Sequence, residues 1–182
     1  MQLALTVAGA RALFGVPAAA LAGELLGVED VAPSLRDLPE RLHETPPGQW
    51  VAVVERTLTA ELARGEAPGP RAEVGRALAR LTRGAAVQAV ADDVGYSRRH
   101  LSDLVRAECG LSPKQVQRLG RFEASRALLG RLPLAEVAHR CGYADQSHLT
   151  RDWDALAGCP PTTWLREEFP FLQDLGAAGE GG

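Results

Sequence analysis

The second half of the chain contains an internal repeat, and a recurring pattern implies one structural unit that is used twice. Residues 90–96 (VADDVGY) align with residues 137–143 (VAHRCGY) at an offset of 47, with valine, alanine, glycine and tyrosine in register. One residue is then inserted, and at an offset of 48 Leu101 pairs with Leu149. The repeat therefore predicts two copies of the same fold in tandem.

Each copy has the pattern of a short helix, a glycine turn and a second helix, which is the sequence form of a helix-turn-helix. In the first copy, Gly95 permits the left-handed backbone of the turn and Ser97 is suited to cap the second helix. Gly142 and Asp145 take the same places in the second copy. The residues expected to face inward are apolar and recur at helical spacing: Val87, Val90, Ala91, Val94, Leu101, Leu104 and Val105, then Leu134, Val137, Ala138, Cys141, Leu149, Trp153 and Leu156.

Polar side chains remain on the outer face of the second helix in each copy. They are Arg98, Arg99, Ser102, Asp103 and Arg106 in the first copy, and Gln146, Ser147, Thr150 and Arg151 in the second. A helix that contacts base edges in the major groove needs hydrogen-bond donors and acceptors of this kind. The two outer faces therefore indicate two DNA-recognition helices.

Residues 113–129, between the two units, are predicted to form one continuous helix. Its apolar side carries Val116, Leu119, Phe122 and Leu128. At about 1.5 Å per residue this helix gives roughly 24 Å of spacer. Such a spacer helps to place two recognition helices about 34 Å apart, which is one turn of B-DNA.

Charge is distributed unevenly between the two units. The chain has a net charge of -3, but residues 87–131 hold eight Lys or Arg against five Asp or Glu, whereas residues 132–166 hold three against four. We therefore expect the first unit and the spacer helix to supply most of the non-specific attraction to phosphate. The second unit is expected to add sequence discrimination or to contact RNA polymerase.

The remaining sequence predicts an all-α chain, in which only Leu3–Val7 could pass for a strand. A Pro/Gly-rich run at residues 65–70 marks a domain boundary, and residues 47–63 before it form an amphipathic pattern. The predicted division is an N-terminal sensory or dimerisation segment at residues 1–69, a DNA-binding domain at residues 70–170 and a Gly-rich disordered tail at residues 171–182.

Several function classes are disfavoured. Three cysteines without CxxC spacing argue against a disulfide framework and a zinc site. The apolar stretch near the start is interrupted by Arg11 and Glu24, so it fits neither a membrane span nor a signal peptide. No nucleophile with a base at matching spacing is apparent. We expect a cytoplasmic protein without catalytic activity, metal or cofactor.

Four linked segments resemble the C-terminal DNA-binding domain of AraC/XylS-type transcription regulators. They are residues 95–101 (GYSRRHL), 110–113 (GLSP), 121–123 (RFE) and 142–149 (GYADQSHL). The resemblance covers residues 71–169 and implies a bihelical domain of two helix-turn-helix units that binds double-stranded DNA. Leu149 and Trp153 stand where the family usually has phenylalanine, which alters the packing of an apolar core.

The resemblance implies base contacts from Arg99, Ser102, Asp103, Gln146, Ser147, Thr150 and Arg151. The predicted phosphate contacts are Arg98, Arg106, Lys114, Arg118 and His148, since basic side chains near a groove mostly contact the backbone. Asp103 departs from the family, in which a basic residue is common at this position. Its carboxylate could accept a hydrogen bond from a cytosine amino group, or it could repel phosphate.

The N-terminal part is similar to the helical end of a sensory domain found in some members of this family. The strand-rich beginning of such domains is missing, so the chain is expected to be a truncated form or a fragment, without an effector pocket. Residues 47–63 are a candidate homodimer contact. One alternative function is an effector- or partner-binding module with a degenerate DNA-binding unit. A second is an enzyme, since some relatives fuse this domain to DNA-repair chemistry.

Overall fold

The computed structural model describes residues 3, 5–64 and 71–168, and all regular structure in those ranges is helical. The α-helices are α1 (Val7–Phe14), α2 (Val28–Val31), α3 (Leu38–His43), α4 (Trp50–Arg64), α5 (Ala72–Thr82), α6 (Val87–Val94), α7 (Arg98–Cys109), α8 (Pro113–Leu128), α9 (Leu134–Arg140), α10 (Gln146–Ala157) and α11 (Pro161–Glu168). Short 3-10 helices occupy Ala18–Leu21, Pro33–Leu35 and Pro47–Gln49. The predicted all-α fold is confirmed.

The structure differs from the sequence predictions at the ends of elements and at the start of the chain. The described residues of the stretch that could pass for a strand form none, because Val7 already begins α1 and the Thr6 hydroxyl caps that helix by accepting from the Gly9 amide at 3.0 Å. The helix predicted at residues 47–63 begins later, at Trp50, since a 3-10 turn precedes it. The predicted boundary at residues 65–70 and the tail at residues 171–182 lie outside the described residues.

The chain divides into two compact units. One comprises Met1–Leu78 and Gln88–Pro113, and the other comprises Ala79–Val87 and Lys114–Gly182. The first helix-turn-helix therefore belongs to the same unit as the N-terminal helices. The second helix-turn-helix belongs with most of α8.

In the first unit, the N-terminal helices contact the end of α7. Arg11 of α1 donates to the Glu108 carboxylate, with Nη1 and Oε2 2.9 Å apart. Glu108 is 8% exposed, so this charge is largely removed from water and depends on its partner. The 3-10 turn at Ala18–Leu21 lies beside Gly110, the residue that ends α7.

In the second unit, the core is built around Trp153 of α10. Its ring packs against Phe122 and Trp164, with centroids 4.6 and 5.4 Å away. The indole N–H donates to the Ser125 hydroxyl at 2.8 Å, so the one polar atom of this buried side chain has a partner. The other buried members of the core are Leu129, Val137, Ala138, Cys141, Tyr143 and Leu149.

Helix α8 is continuous, as predicted, and its middle lies very close to the end of α5. A Cβ placed on Gly120 would lie 2.0 Å from the Thr82 carbonyl oxygen. Nearby, the side-chain amide of Gln117 donates from Nε2 to the Ala85 carbonyl at 2.6 Å. Leu119 was expected on the packed side of α8 but is 37% exposed.

Candidate nucleic-acid interface

The two turns that precede α7 and α10 have the same geometry. Gly95 and Gly142 each have φ of +74°, which a residue with a side chain rarely adopts. The amide of the tyrosine that follows each glycine donates five residues back, from Tyr96 to Ala91 and from Tyr143 to Ala138, at 2.9 Å in both cases. This pattern is the Schellman motif. The sequence repeat is therefore also a repeat of backbone structure.

Matching side-chain contacts fix the start of each recognition helix. The Ser97 hydroxyl accepts from the His100 amide at 3.2 Å, and the Asp145 carboxylate accepts from the His148 amide at 2.7 Å. Both caps were predicted, and both are confirmed. Each of the two histidine rings also stands edge-on to the turn tyrosine of its own unit.

Helix α7 presents a polar face opposite an apolar one. Its inward residues Leu101 and Val105 are 0% exposed, whereas the side chains predicted to contact bases lie on the other side. Arg99 and Asp103 are exposed, and Ser102 is half-buried. The Ser102 hydroxyl donates to the Arg98 carbonyl at 2.8 Å, so its oxygen lone pairs remain the groups suited to an outside donor.

Helix α10 repeats this arrangement with different chemistry. Gln146, Ser147 and Arg151 are exposed, while Leu149 and Trp153 are 0% exposed. Thr150 is half-buried and its hydroxyl donates to the Gln146 carbonyl at 3.0 Å, as Ser102 does in α7. The structure therefore brings the predicted base-contacting residues of each unit onto one face of one helix.

The predicted phosphate contacts fall into two groups. Arg98, Arg106 and Lys114 are exposed. Arg118 and His148, in contrast, are engaged within the chain: Arg118 Nε donates to Asp152 Oδ1 at 2.8 Å, and His148 Nδ1 accepts from the Ala144 amide at 3.4 Å. Arg118 and His148 are therefore held in place by contacts within the chain, whereas the other three side chains extend into solvent.

Asp152, on α10, was not among the predicted site residues. It is 7% exposed and lies beside two arginines of α8, with Arg121 Nη2 4.0 Å from its second carboxylate oxygen. The Arg121 guanidinium in turn lies 5.4 Å from the centre of the Tyr143 ring. A signal was present in the sequence, since position 152 follows Leu149 by three and precedes Trp153, which places an acid on the buried face of the helix.

The environment of this cluster changes the acid–base properties of its tyrosine. Burial of the hydroxyl, followed in importance by the nearby Asp152 carboxylate, raises the pKa of Tyr143 to about 12. Burial also raises the pKa of the thiols of Cys109 and Cys141. Cys109 and Cys141 therefore have the character of core residues and not of nucleophiles.

Within the described ranges, His, Cys, Asp and Glu side chains form no group of three that could hold a metal ion. None of the helices in that part of the chain combines the length and the apolar character needed to cross a membrane. What the two helix faces can do chemically is donate and accept hydrogen bonds.

Comparison with known proteins agrees with this geometry. Residues 90–167 match the model of a family described as a helix-turn-helix domain. The segment is similar to an AraC-type helix-turn-helix domain. The match covers both repeats, from Val90 in α6 into α11, and the predicted resemblance is confirmed. No curated protein matches the chain.

Two solved structures are similar to about half of the chain. One is the C-terminal domain of AraT, a response regulator from Geobacillus stearothermophilus, with 25% identity, a TM-score of 0.50 and coverage of 54% of this chain and 87% of that one. The other is the DNA-binding domain of AdpA, a global transcriptional factor, solved in complex with a target DNA, with 28% identity, a TM-score of 0.47 and coverage of 56% and 97%.

The functional prediction is confirmed at the level of its class. A DNA-binding transcription regulator is the function that the AraC-type domain and its structural likeness support.

Proposed function

We propose that the chain regulates transcription by sequence-specific binding to double-stranded DNA, with α7 and α10 in the major groove. One observation carries this proposal: two helices of 12 residues, with the same turn before them and a side-chain cap at the same position, each expose a polar face opposite a buried, mainly apolar face. Two helices that only completed a core would need matching apolar faces, but they would not need matching polar faces at the same positions of both copies. Base recognition does need them.

The proposed base contacts are made by Arg99, Ser102 and Asp103 on α7 and by Gln146, Ser147, Thr150 and Arg151 on α10. Arginine suits guanine, glutamine suits adenine, and an aspartate accepts from the cytosine amino group. Arg98, Arg106, Lys114, Arg118 and His148 are proposed to contact phosphates and to set the position of the protein on the duplex. Asp103 thus acts as a discriminating acid on an otherwise basic face.

Further partners belong to the same proposal. Residues 47–63 are a candidate homodimer contact, supported by exposed Val51 and Leu62 on α4, at 62% and 45%. RNA polymerase is a proposed partner of the second unit. We assign no catalytic role, cofactor or small-molecule effector, and the proposed site of action is the cytoplasm.

Selection from a pool of randomised duplexes tests the proposal. Two short motifs about ten base pairs apart should be enriched, since successive major-groove segments on one face of B-DNA have that spacing. Arg99→Ala should erase one motif and Gln146→Ala the other. Both side chains are exposed, so neither substitution should impair folding.

The same selection separates the proposal from its main alternative. A module with a degenerate DNA-binding unit would enrich no sequence, although the intact protein remains folded by circular dichroism. Enrichment of a single motif that survives both substitutions would also contradict recognition by these two helices.

A further inference from the structure

A buried carboxylate links the second recognition helix to the spacer helix. Asp152 of α10 accepts from Arg118 Nε of α8 at 2.8 Å, and Arg121, one turn along α8, lies 4.0 Å from its other oxygen. All three residues belong to one compact unit. A carboxylate that is 7% exposed is stable only when it is paired, and here two guanidinium groups share that task.

The contact engages only one edge of the Arg118 guanidinium. Its Nε is the donor to Asp152, while 38% of the side chain stays exposed. A guanidinium is planar and rigid, so fixing Nε also fixes the direction of the two terminal amino groups. An arginine held in this way loses less conformational entropy when it binds an anion than a free arginine does.

We propose that Asp152 is a positioning residue that holds Arg118 ready to contact a DNA phosphate. The proposal rests on the proposed function and deepens it, because it assigns a role in DNA binding to an acid that touches no DNA. It also separates Arg118 from Arg106 and Lys114, which are exposed on the protein surface.

The proposal predicts a change in DNA affinity opposite in direction to the one expected from simple electrostatics. Asp152→Asn removes a negative charge from a DNA-binding unit, which by charge alone should tighten binding. If Asp152 acts through Arg118, the same substitution should weaken binding about tenfold, the loss expected for one charge-assisted contact. The slope of log affinity against log salt is negative, and its magnitude should also decrease by about 0.9, which corresponds to one lost phosphate contact.

The experiment is a fluorescence-anisotropy titration of the full chain with a mixed-sequence duplex over a series of salt concentrations. Asp154→Asn is the matched control, since Asp154 is exposed on the same helix and the change in charge is identical. This control should bind as tightly as the parent chain or tighter. In an Arg118→Gln background, Asp152→Asn should no longer weaken binding, because the group through which it weakens binding is gone.

Arg118→Lys tests the same contact by changing the more exposed partner, and it leaves the buried Asp152 in place. Its result therefore does not depend on the folding of the Asp152 variant. Lysine keeps the charge but has no Nε to be held, so weaker binding supports the positioning role and unchanged binding overturns it. The proposal is also overturned if the Asp152→Asn protein binds as the Asp154→Asn protein does. A lower fraction of active Asp152→Asn protein with an unchanged salt slope overturns it as well. If the parent chain itself binds no duplex at any salt concentration, the proposed function fails first.

Discussion

At the scale of single residues, Tyr143 gives a pH test of the second unit. Its pKa in the folded chain is about 12, against an ordinary value of 10.0, so between these values the folded state keeps a proton that the unfolded state has lost. The stabilisation is fully present below pH 10 and is lost as the pH rises to about 12. We expect this residue alone to remove about 2 to 3 kcal/mol of the free energy of unfolding over that range.

Urea denaturation of the parent chain and of Tyr143→Phe, followed by tryptophan fluorescence, measures the difference. The variant should lack this part of the decline, while every other titrating group is common to both proteins. Equal declines would contradict the assigned environment. The burial of Tyr143 was predictable from its place after Gly142, and the place of Asp152 on the buried face of α10 was predictable from its spacing, but the pairing of Asp152 with Arg118, 34 positions away, was not.

At the scale of elements, the sequence predicted well what depends on neighbouring residues. Helices α7 and α10 each start after a capping side chain that accepts from the amide three residues further on. Each ends at a glycine whose φ is positive. Contacts between distant segments left no such signal. The pair of Arg11 and Glu108 joins positions 97 apart, so neither residue alone indicates that the N-terminal segment contacts α7.

The close approach of α8 to the end of α5 gives a prediction at this scale. Gly120→Ala should lower the free energy of unfolding by about 1 to 3 kcal/mol, although alanine favours a helix over glycine, because the added methyl group would lie 2.0 Å from the Thr82 carbonyl oxygen and the backbone must move. Gly48→Ala is the control. No atom lies within 4 Å of its added Cβ, so it should be neutral or slightly stabilising. Urea denaturation of both variants decides, and a Gly120→Ala protein as stable as the control would contradict the contact.

At the scale of the whole molecule, the first helix-turn-helix together with the spacer helix differs in charge from the second helix-turn-helix, although the two helix-turn-helix copies have the same turn geometry. Residues 87–131 carry an excess of three positive charges, whereas residues 132–166 carry an excess of one negative charge. Arg99 therefore acts within a basic field, while Arg151 stands on a helix that also carries Asp152 and Asp154. Sequence predicted this asymmetry fully, because charge depends on composition and not on packing.

Arg99→Ala and Arg151→Ala should consequently affect binding in different ways. On a mixed-sequence duplex no base is specifically recognised and Arg99 is expected to contact phosphate, so Arg99→Ala should reduce the magnitude of the negative slope of log affinity against log salt by about 0.9. Arg151→Ala should change that magnitude less, since phosphates are attracted mainly to the first helix-turn-helix and the spacer helix. On a selected duplex, Arg151→Ala should lower the preference over mixed sequence by roughly 1 to 3 kcal/mol. A larger change in salt slope for Arg151→Ala would mean that the acidic unit carries the non-specific attraction, and the division of labour between the two units would be the reverse of the one proposed.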